Sequence, residues 1–227
     1  MKKKPANREI SRVLRTKEQA RAAYDSLSRW YDFLAGWSER APRNLGLALL
    51  SPSRGERILE IGVGTGHAVA AIAQAVGQGG KAVGIDISAG MLEIACSQAV
   101  KAGISDRVDL ICADAALYPF PPGAYDAVFM SFTLELFDTP EIPGLLAACR
   151  RALKNGGRIC VVSMAKQQKD SLPVRIYEWF HKTMPAYVDC RPIFVQHALV
   201  QAGFKIDTVR ETKMWGLPVE IVLALKS

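Results

Sequence analysis

Histidine and clustered cysteine are what this chain has least of. Its three histidines, His67, His181 and His197, lie too far apart in sequence to make a ligand set. The five cysteines, Cys96, Cys112, Cys149, Cys160 and Cys190, are scattered and form no C-x-x-C pair. A zinc site needs such residues at short, regular spacing, and a secreted scaffold needs paired cysteines, so neither is expected. No run approaches the roughly 20 apolar residues that a membrane-crossing helix requires. The first residues are charged and hold no apolar segment of the kind that begins a secretory leader. With unpaired cysteines, these features make the reducing cytoplasm the expected compartment. Internal repeats and low-complexity tracts are also missing, which excludes solenoids and arrays.

What is present is the composition of an ordinary globular domain, with 49% apolar and 22% charged residues in 227. The net charge of +7 is unevenly placed. Residues 1–21 carry eight basic side chains against Glu9 and Glu18, a surplus of six, so the rest of the chain is nearly neutral. A nucleic-acid enzyme would spread basic charge over its folded face. A basic arm instead reads as a solvated tail, a contact for anionic lipid, or a nucleic-acid anchor.

The first 49 residues have helical spacing, with Ile10, Val13 and Leu14 and then Tyr24, Leu27, Tyr31 and Leu34 as apolar positions. From residue 57 the pattern becomes strand and helix in alternation. Short apolar strands are predicted at Arg57–Ile61, Lys81–Asp86, Val108–Cys112, Tyr125–Ser131 and Arg158–Met164. Helices with one apolar stripe are predicted at Ser88–Ala102 and Pro140–Lys154, the latter with Thr139 as N-cap and Gly156 past its end. Such alternation makes right-handed crossovers and a parallel sheet covered on both faces. Residues 168–202 read as two helices, the second opened by Pro192. Phe204–Lys213 and Leu217–Lys226 read as an antiparallel hairpin around Trp215-Gly216. The expected architecture is a Rossmann-like α/β fold. It has a seven-stranded, mostly parallel sheet, an antiparallel C-terminal hairpin and a helical N-terminal cap. The cap would span residues 1–49 and the main domain 50–227, with 165–202 as a helical insertion on the substrate side.

The densest chemical signal is Glu60-Ile61-Gly62-Val63-Gly64-Thr65-Gly66, which follows a strand and opens a helix. Glycines permit a tight turn and close approach of a ligand to the backbone. A dinucleotide turn has the spacing G-x-G-x-x-G, with its pyrophosphate on the helix N-terminus. Here the third glycine comes one residue early and an acid stands two residues before the first. That arrangement suits a ligand with an ammonium group and no phosphate, such as S-adenosylmethionine (SAM). Asp86 ends the second strand, where a carboxylate can accept from both hydroxyls of a ribose; the alternative is a cap for the helix that follows. Asp114, just beyond the third strand, can accept from an adenine amino group, or serve only as a loop residue.

Together these residues resemble the class I SAM-dependent methyltransferases. The resemblance rests on the glycine motif, Gly84-Ile85-Asp86, Asp114-Ala115, Tyr125-Asp126-Ala127-Val128 and Ala152-Leu153-Lys154-Asn155-Gly156-Gly157-Arg158. It covers about residues 55–165. Within that superfamily the chain is similar to the C-methyltransferases of menaquinone and ubiquinone biosynthesis and to bacterial phospholipid N-methyltransferases. Tyr24-Asp25-Ser26-Leu27-Ser28-Arg29-Trp30-Tyr31-Asp32 and Ser131-Phe132-Thr133-Leu134 carry that finer likeness.

The resemblance implies SAM as cofactor and a set of roles. Glu60, Gly62, Gly64, Thr65 and Gly66 would surround its methionine part. Asp86 would bind the ribose, with Ile87 against the adenine. Asp114 and Ala115 would read the adenine edge. Ser131 would lie near the sulfonium, and Tyr24 and Tyr31 would close over the pocket, or pack in the helix core instead. No metal is implied. The acceptor would be a small or lipid molecule, partly apolar, with the basic arm giving peripheral contact to an anionic membrane. Aromatic Ile176–Tyr187, containing Trp179, Phe180 and Met184, would help enclose it.

Two segments depart from the quinone enzymes. Glu135-Leu136 stands where those carry Arg-Asn, and Ala186–Ile193 does not match their pattern. Tyr24, Tyr31, Glu135 and His181 lie near the expected mouth, but none is singled out as a base. A nucleic-acid methyltransferase is the competing enzyme class. Its D/N-P-P-Y signature is replaced here by Met130-Ser131-Phe132-Thr133. A nicotinamide oxidoreductase is disfavoured by the glycine spacing. A SAM-binding module without catalysis is the third alternative.

Overall fold

The strands of a doubly covered sheet must be apolar on both faces, and these are. In the computed structural model, adjacent residues of the first strand, Ile58 and Leu59, are both fully buried but belong to two different core clusters. The structure describes residues 13, 16–19, 21, 22, 25, 37–166 and 191–227. Tyr24, Tyr31, most of the basic arm, the aromatic segment 176–187 with His181, and Cys190 lie outside the described residues.

Seven strands form one sheet: β1 (Arg57–Ile61), β2 (Lys81–Asp86), β3 (Val108–Cys112), β4 (Tyr125–Ser131), β5 (Leu153–Met164), β6 (Phe204–Met214) and β7 (Leu217–Lys226). Their order is β3-β2-β1-β4-β5-β7-β6. The first five are parallel, and β7 is antiparallel to both β5 and β6. One face is covered by α1 (Trp37–Leu50), α2 (His67–Val76) and α3 (Ala89–Lys101). The other is covered by α4 (Ile142–Ala152) and α5 (Val195–Gln201). The Rossmann-like expectation holds, including the C-terminal hairpin. Trp215 and Gly216 both have positive φ (51° and 78°), the backbone that a two-residue hairpin turn demands.

Several boundaries differ from the sequence reading. The helix predicted to start at Pro140 begins at Ile142, and Thr139 is not its cap. Asp138 and Glu141 exchange hydrogen bonds there. The Glu141 N–H donates to the Asp138 carbonyl at 2.8 Å, and the Asp138 N–H donates to Glu141 Oε2 at 3.1 Å. The bond to the Glu141 carboxylate is half of a capping box, and the bond to the Asp138 carbonyl closes a separate turn ahead of the helix. At the other end Leu153 turns extended and pairs with Tyr125, so the strand predicted from Arg158 starts at Leu153. The helix expected from Pro192 starts at Val195, because Ile193 bridges to Ala165 beside the end of β5. Ser88 caps α3 by accepting from the Met91 N–H at 3.1 Å. That leaves Asp86 free of the cap role.

Since β1 lies between β2 and β4, crossovers leave it in opposite directions. A crevice opens there at the carboxyl ends of the strands, the position where such sheets bind ligands.

Candidate active site

The crevice is a cavity of about 470 Å³. Glu60, Gly62, Gly64, Thr65, Asp86, Ile87, Asp114, Ala115 and Ser131 all line it. Gly66 stands behind the wall. At its φ of 95° a side chain is strained, and an added Cβ would meet the Ala95 backbone at 2.8 Å, so glycine here brings α2 against α3. Gly62 abuts the Thr133 side chain, whose hydroxyl donates to the Ser131 carbonyl at 3.0 Å. Gly64 is different: a Cβ there would meet nothing within 4 Å. The turn therefore leaves open space for a ligand against its backbone.

The carboxylates are organised by burial. Glu60 is 2% exposed, and its Oε2 has no hydrogen-bond partner. Burial pushes its carboxyl well above the usual range, and the Arg43 charge only partly offsets this. Asp86 accepts from the Gly64 N–H and the Ser88 N–H, both at 2.9 Å. Burial raises its pKa as well, against those two bonds. Asp114 accepts from the Ala116 N–H at 2.9 Å and pairs with the Lys17 ammonium, which also pairs with Glu141. Burial works against the Lys17 charge, but the two acids outweigh it and its pKa is raised.

Lys17, Glu39 and Arg43 were not anticipated as wall residues. Nothing in the local sequence marks them, because helices before the domain carry them onto it. The Asp138–Glu141 turn was legible as a D-x-x-E capping box but was missed. Phe132 shows its part only in the folded chain. It holds φ at 53°, a left-handed conformation costly for an aromatic residue, and turns the chain from β4 into the cavity wall.

Six carboxylates, Glu39, Glu60, Asp86, Asp114, Asp138 and Glu141, line this cavity together with Lys17, Arg43 and His67. In a basic protein this is a local negative site. It repels a pyrophosphate and favours a cation. Among the described residues no three His, Cys, Asp or Glu side chains are grouped to hold a metal ion.

The methyltransferase domain profile matches residues 58–157, which hold the glycine turn, Asp86 and Asp114. The ubiquinone/menaquinone biosynthesis C-methyltransferase UbiE of Teredinibacter turnerae is 32% identical over 159 residues, 70% of this chain and 61% of that protein. The chain carries a methyltransferase domain and is similar to SAM-dependent methyltransferases. It spans about 61% of the length of the UbiE proteins it matches. A SAM-dependent methyltransferase from Aquifex aeolicus has a TM-score of 0.65 at 21% identity, covering 89% of this chain and 98% of that one. The [4+2]-cyclase SpnF has a TM-score of 0.74 at 20% identity, covering 93% and 97%. These two share the methyltransferase fold with this chain. No described helix is long and apolar enough to cross a membrane.

Proposed function

We propose that this methyltransferase moves a methyl group from SAM to a small, partly apolar acceptor, a quinol-like ring or a phospholipid headgroup. The observation that carries the reading is the buried, unpartnered Glu60 oxygen near the open space at Gly64 in an acid-rich cavity. An ammonium group satisfies that oxygen, and a buried carboxylate left without such a partner is costly. Glu60, Gly62, Gly64 and Thr65 would then hold the methionine end. Asp86 would accept from the ribose hydroxyls with Ile87 against the base, and Asp114 with Ala115 would take the adenine edge. Ser131 would sit near the sulfonium.

SAM brings a methyl group already activated on a sulfonium, so the protein's part is mainly placement. The walls fix the cofactor, Phe132 and Leu136 exclude water, and the acceptor is held in line. We assign no base. The quinol half of the proposal rests on the name of the UbiE relatives. Where the quinone enzymes carry Arg-Asn, this chain has Leu136 on the cavity wall and Glu135 buried behind it, which leaves the headgroup half open.

In the same proposal residues 1–49 act as a cap on a methyltransferase domain of residues 50–227, with 165–202 over the acceptor. The protein works in the cytoplasm, and its basic arm touches anionic membrane. Methyl transfer from radiolabelled SAM to a panel of quinols, phosphatidylethanolamine and small amines tests the activity. Transfer to at least one class is expected. SAM binding without transfer to any would turn the reading to a binding module. The cyclase neighbour makes that arm of the test worthwhile, since its fold serves another reaction.

A further inference from the structure

The rim of the cavity is tied together by one short loop. Phe137, Asp138, Pro140 and Glu141 line the wall, while Thr139 does not. From the cofactor side two groups of the N-terminal segment grip the loop. The Val13 N–H donates to Asp138 Oδ1 at 3.2 Å, and Lys17 bridges Glu141 and Asp114. From the opposite side comes Arg191, 1% exposed. Its Nη1 donates to Thr139 Oγ1 at 3.0 Å, and its Nη2 donates to the Phe137 carbonyl.

Arg191 is itself firmly based. Two residues on, the Ile193 N–H donates to the Met164 carbonyl at 3.1 Å, and its carbonyl accepts from the Lys166 N–H at 3.0 Å. So the chain that leaves the sheet at Lys166 is back at its edge by Arg191, and there it grips the rim. Arginine suits this place because its rigid fork of donors can reach a hydroxyl and a carbonyl together. Burying a guanidinium is costly unless it is well bonded, so a side chain merely filling space here would be apolar.

We infer that Arg191, through Thr139 and the Phe137 carbonyl, is a positioning residue that holds the Asp138–Glu141 turn where Lys17 can keep Asp114 oriented for the cofactor. This rests on the cavity being the SAM site. Neither Arg191 nor Thr139 lines the cavity, so any effect of theirs on cofactor binding is transmitted by the loop. Residues that act through one shared element give non-additive losses, whereas independent ones add.

The test is calorimetric titration of the full chain with S-adenosylhomocysteine, together with thermal melting. Replacing Arg191 risks the fold, so Thr139 is the informative position. Thr139→Val is expected to weaken binding about three- to tenfold, the scale of one hydrogen bond, with little change in melting temperature. Thr139→Ser keeps the hydroxyl and is expected to restore wild-type affinity. Lys17→Met is expected to weaken binding to a similar degree. The double variant Thr139→Val with Lys17→Met should lose no more than the weaker-binding single. Unchanged affinity in Thr139→Val, or losses that multiply in the double variant, would overturn the inference. Failure of the wild-type chain to bind S-adenosylhomocysteine would instead overturn the cofactor reading, and the inference with it.

Discussion

The two edges of the sheet treat acidic side chains in opposite ways. At the amino-terminal edge, carboxylates are matched to cations. Arg158 donates to both Glu56 oxygens at 2.7 and 2.8 Å and to the Leu50 carbonyl at 2.6 Å. Asp126 accepts from Lys154 at 2.7 Å and from the Arg57 N–H at 2.8 Å. Burial pushes Glu56 and Asp126 up, but these partners more than offset it and hold both below the usual range. At the carboxyl-terminal edge Asp114 and Glu141 share Lys17, but for the acids seated deepest burial wins. Glu60 and Asp86 are raised, and Glu135 is pushed up to about 7. Glu135 and Glu60 each keep a buried oxygen without a partner. The first edge has spent its polar groups on cohesion. The second holds polar capacity that folding left unused, and at Glu60, which lines the cavity, a ligand can take it up.

The largest expected effect is on the second edge. Glu135 accepts from the Met164 N–H at 3.1 Å, and burial disfavours its charge, with the charge of Glu39 adding to the shift. The folded carboxyl keeps its proton to about pH 7, whereas the unfolded one releases it near 4.5. Between those values the unfolded chain binds fewer protons, so stability falls as pH rises, by about 3 kcal/mol from this group. Glu135→Gln should remove that part of the pH dependence and be more stable than wild type at pH 8. Denaturant unfolding at pH 5 and pH 8 measures it. Equal pH slopes in the two proteins would break the contrast.

On the first edge, Arg158→Met should destabilise by about 2–3 kcal/mol, since it leaves Glu56 and the Leu50 carbonyl without their donor in a partly buried place. SAM affinity should stay as it is, because the change lies at the far end of the strands. Melting and titration on one sample separate the two. A loss of affinity without loss of stability would contradict the division of labour.

The smallest effect is read in binding. Asp86→Ala should weaken SAM binding by about 2 kcal/mol, the scale of leaving a pair of ribose hydroxyls unmatched. Some stability should go with it, because the Gly64 and Ser88 N–H groups lose their acceptor. Unchanged affinity would mean that Asp86 only organises the Gly64 and Ser88 N–H groups.

The polar lining was legible where chemistry and local structure coincide. The glycine turn, Asp86 and Asp114 each end a strand, and strand ends are readable from period and composition. Lys17 and Arg43 were not legible, because they come from sequence far from the pocket and no local rule places them. Gly66 was read as ligand-facing, but its φ and the nearness of Ala95 put it between two helices.

By itself, the sequence determined the strand–helix alternation and thus the doubly covered sheet. Apolar runs of five to seven residues cannot remain in water, and their spacing permits few packings. It also carried the methyltransferase resemblance, through motifs held in order. Tertiary structure alone decided which acids are paired and which stay buried without a partner, because that depends on the element facing each side chain. It likewise decided that residues as distant as Lys17, Asp138 and Arg191 meet on one rim. Contacts between segments more than 50 residues apart follow from how the layers close, and a linear pattern does not record that closure.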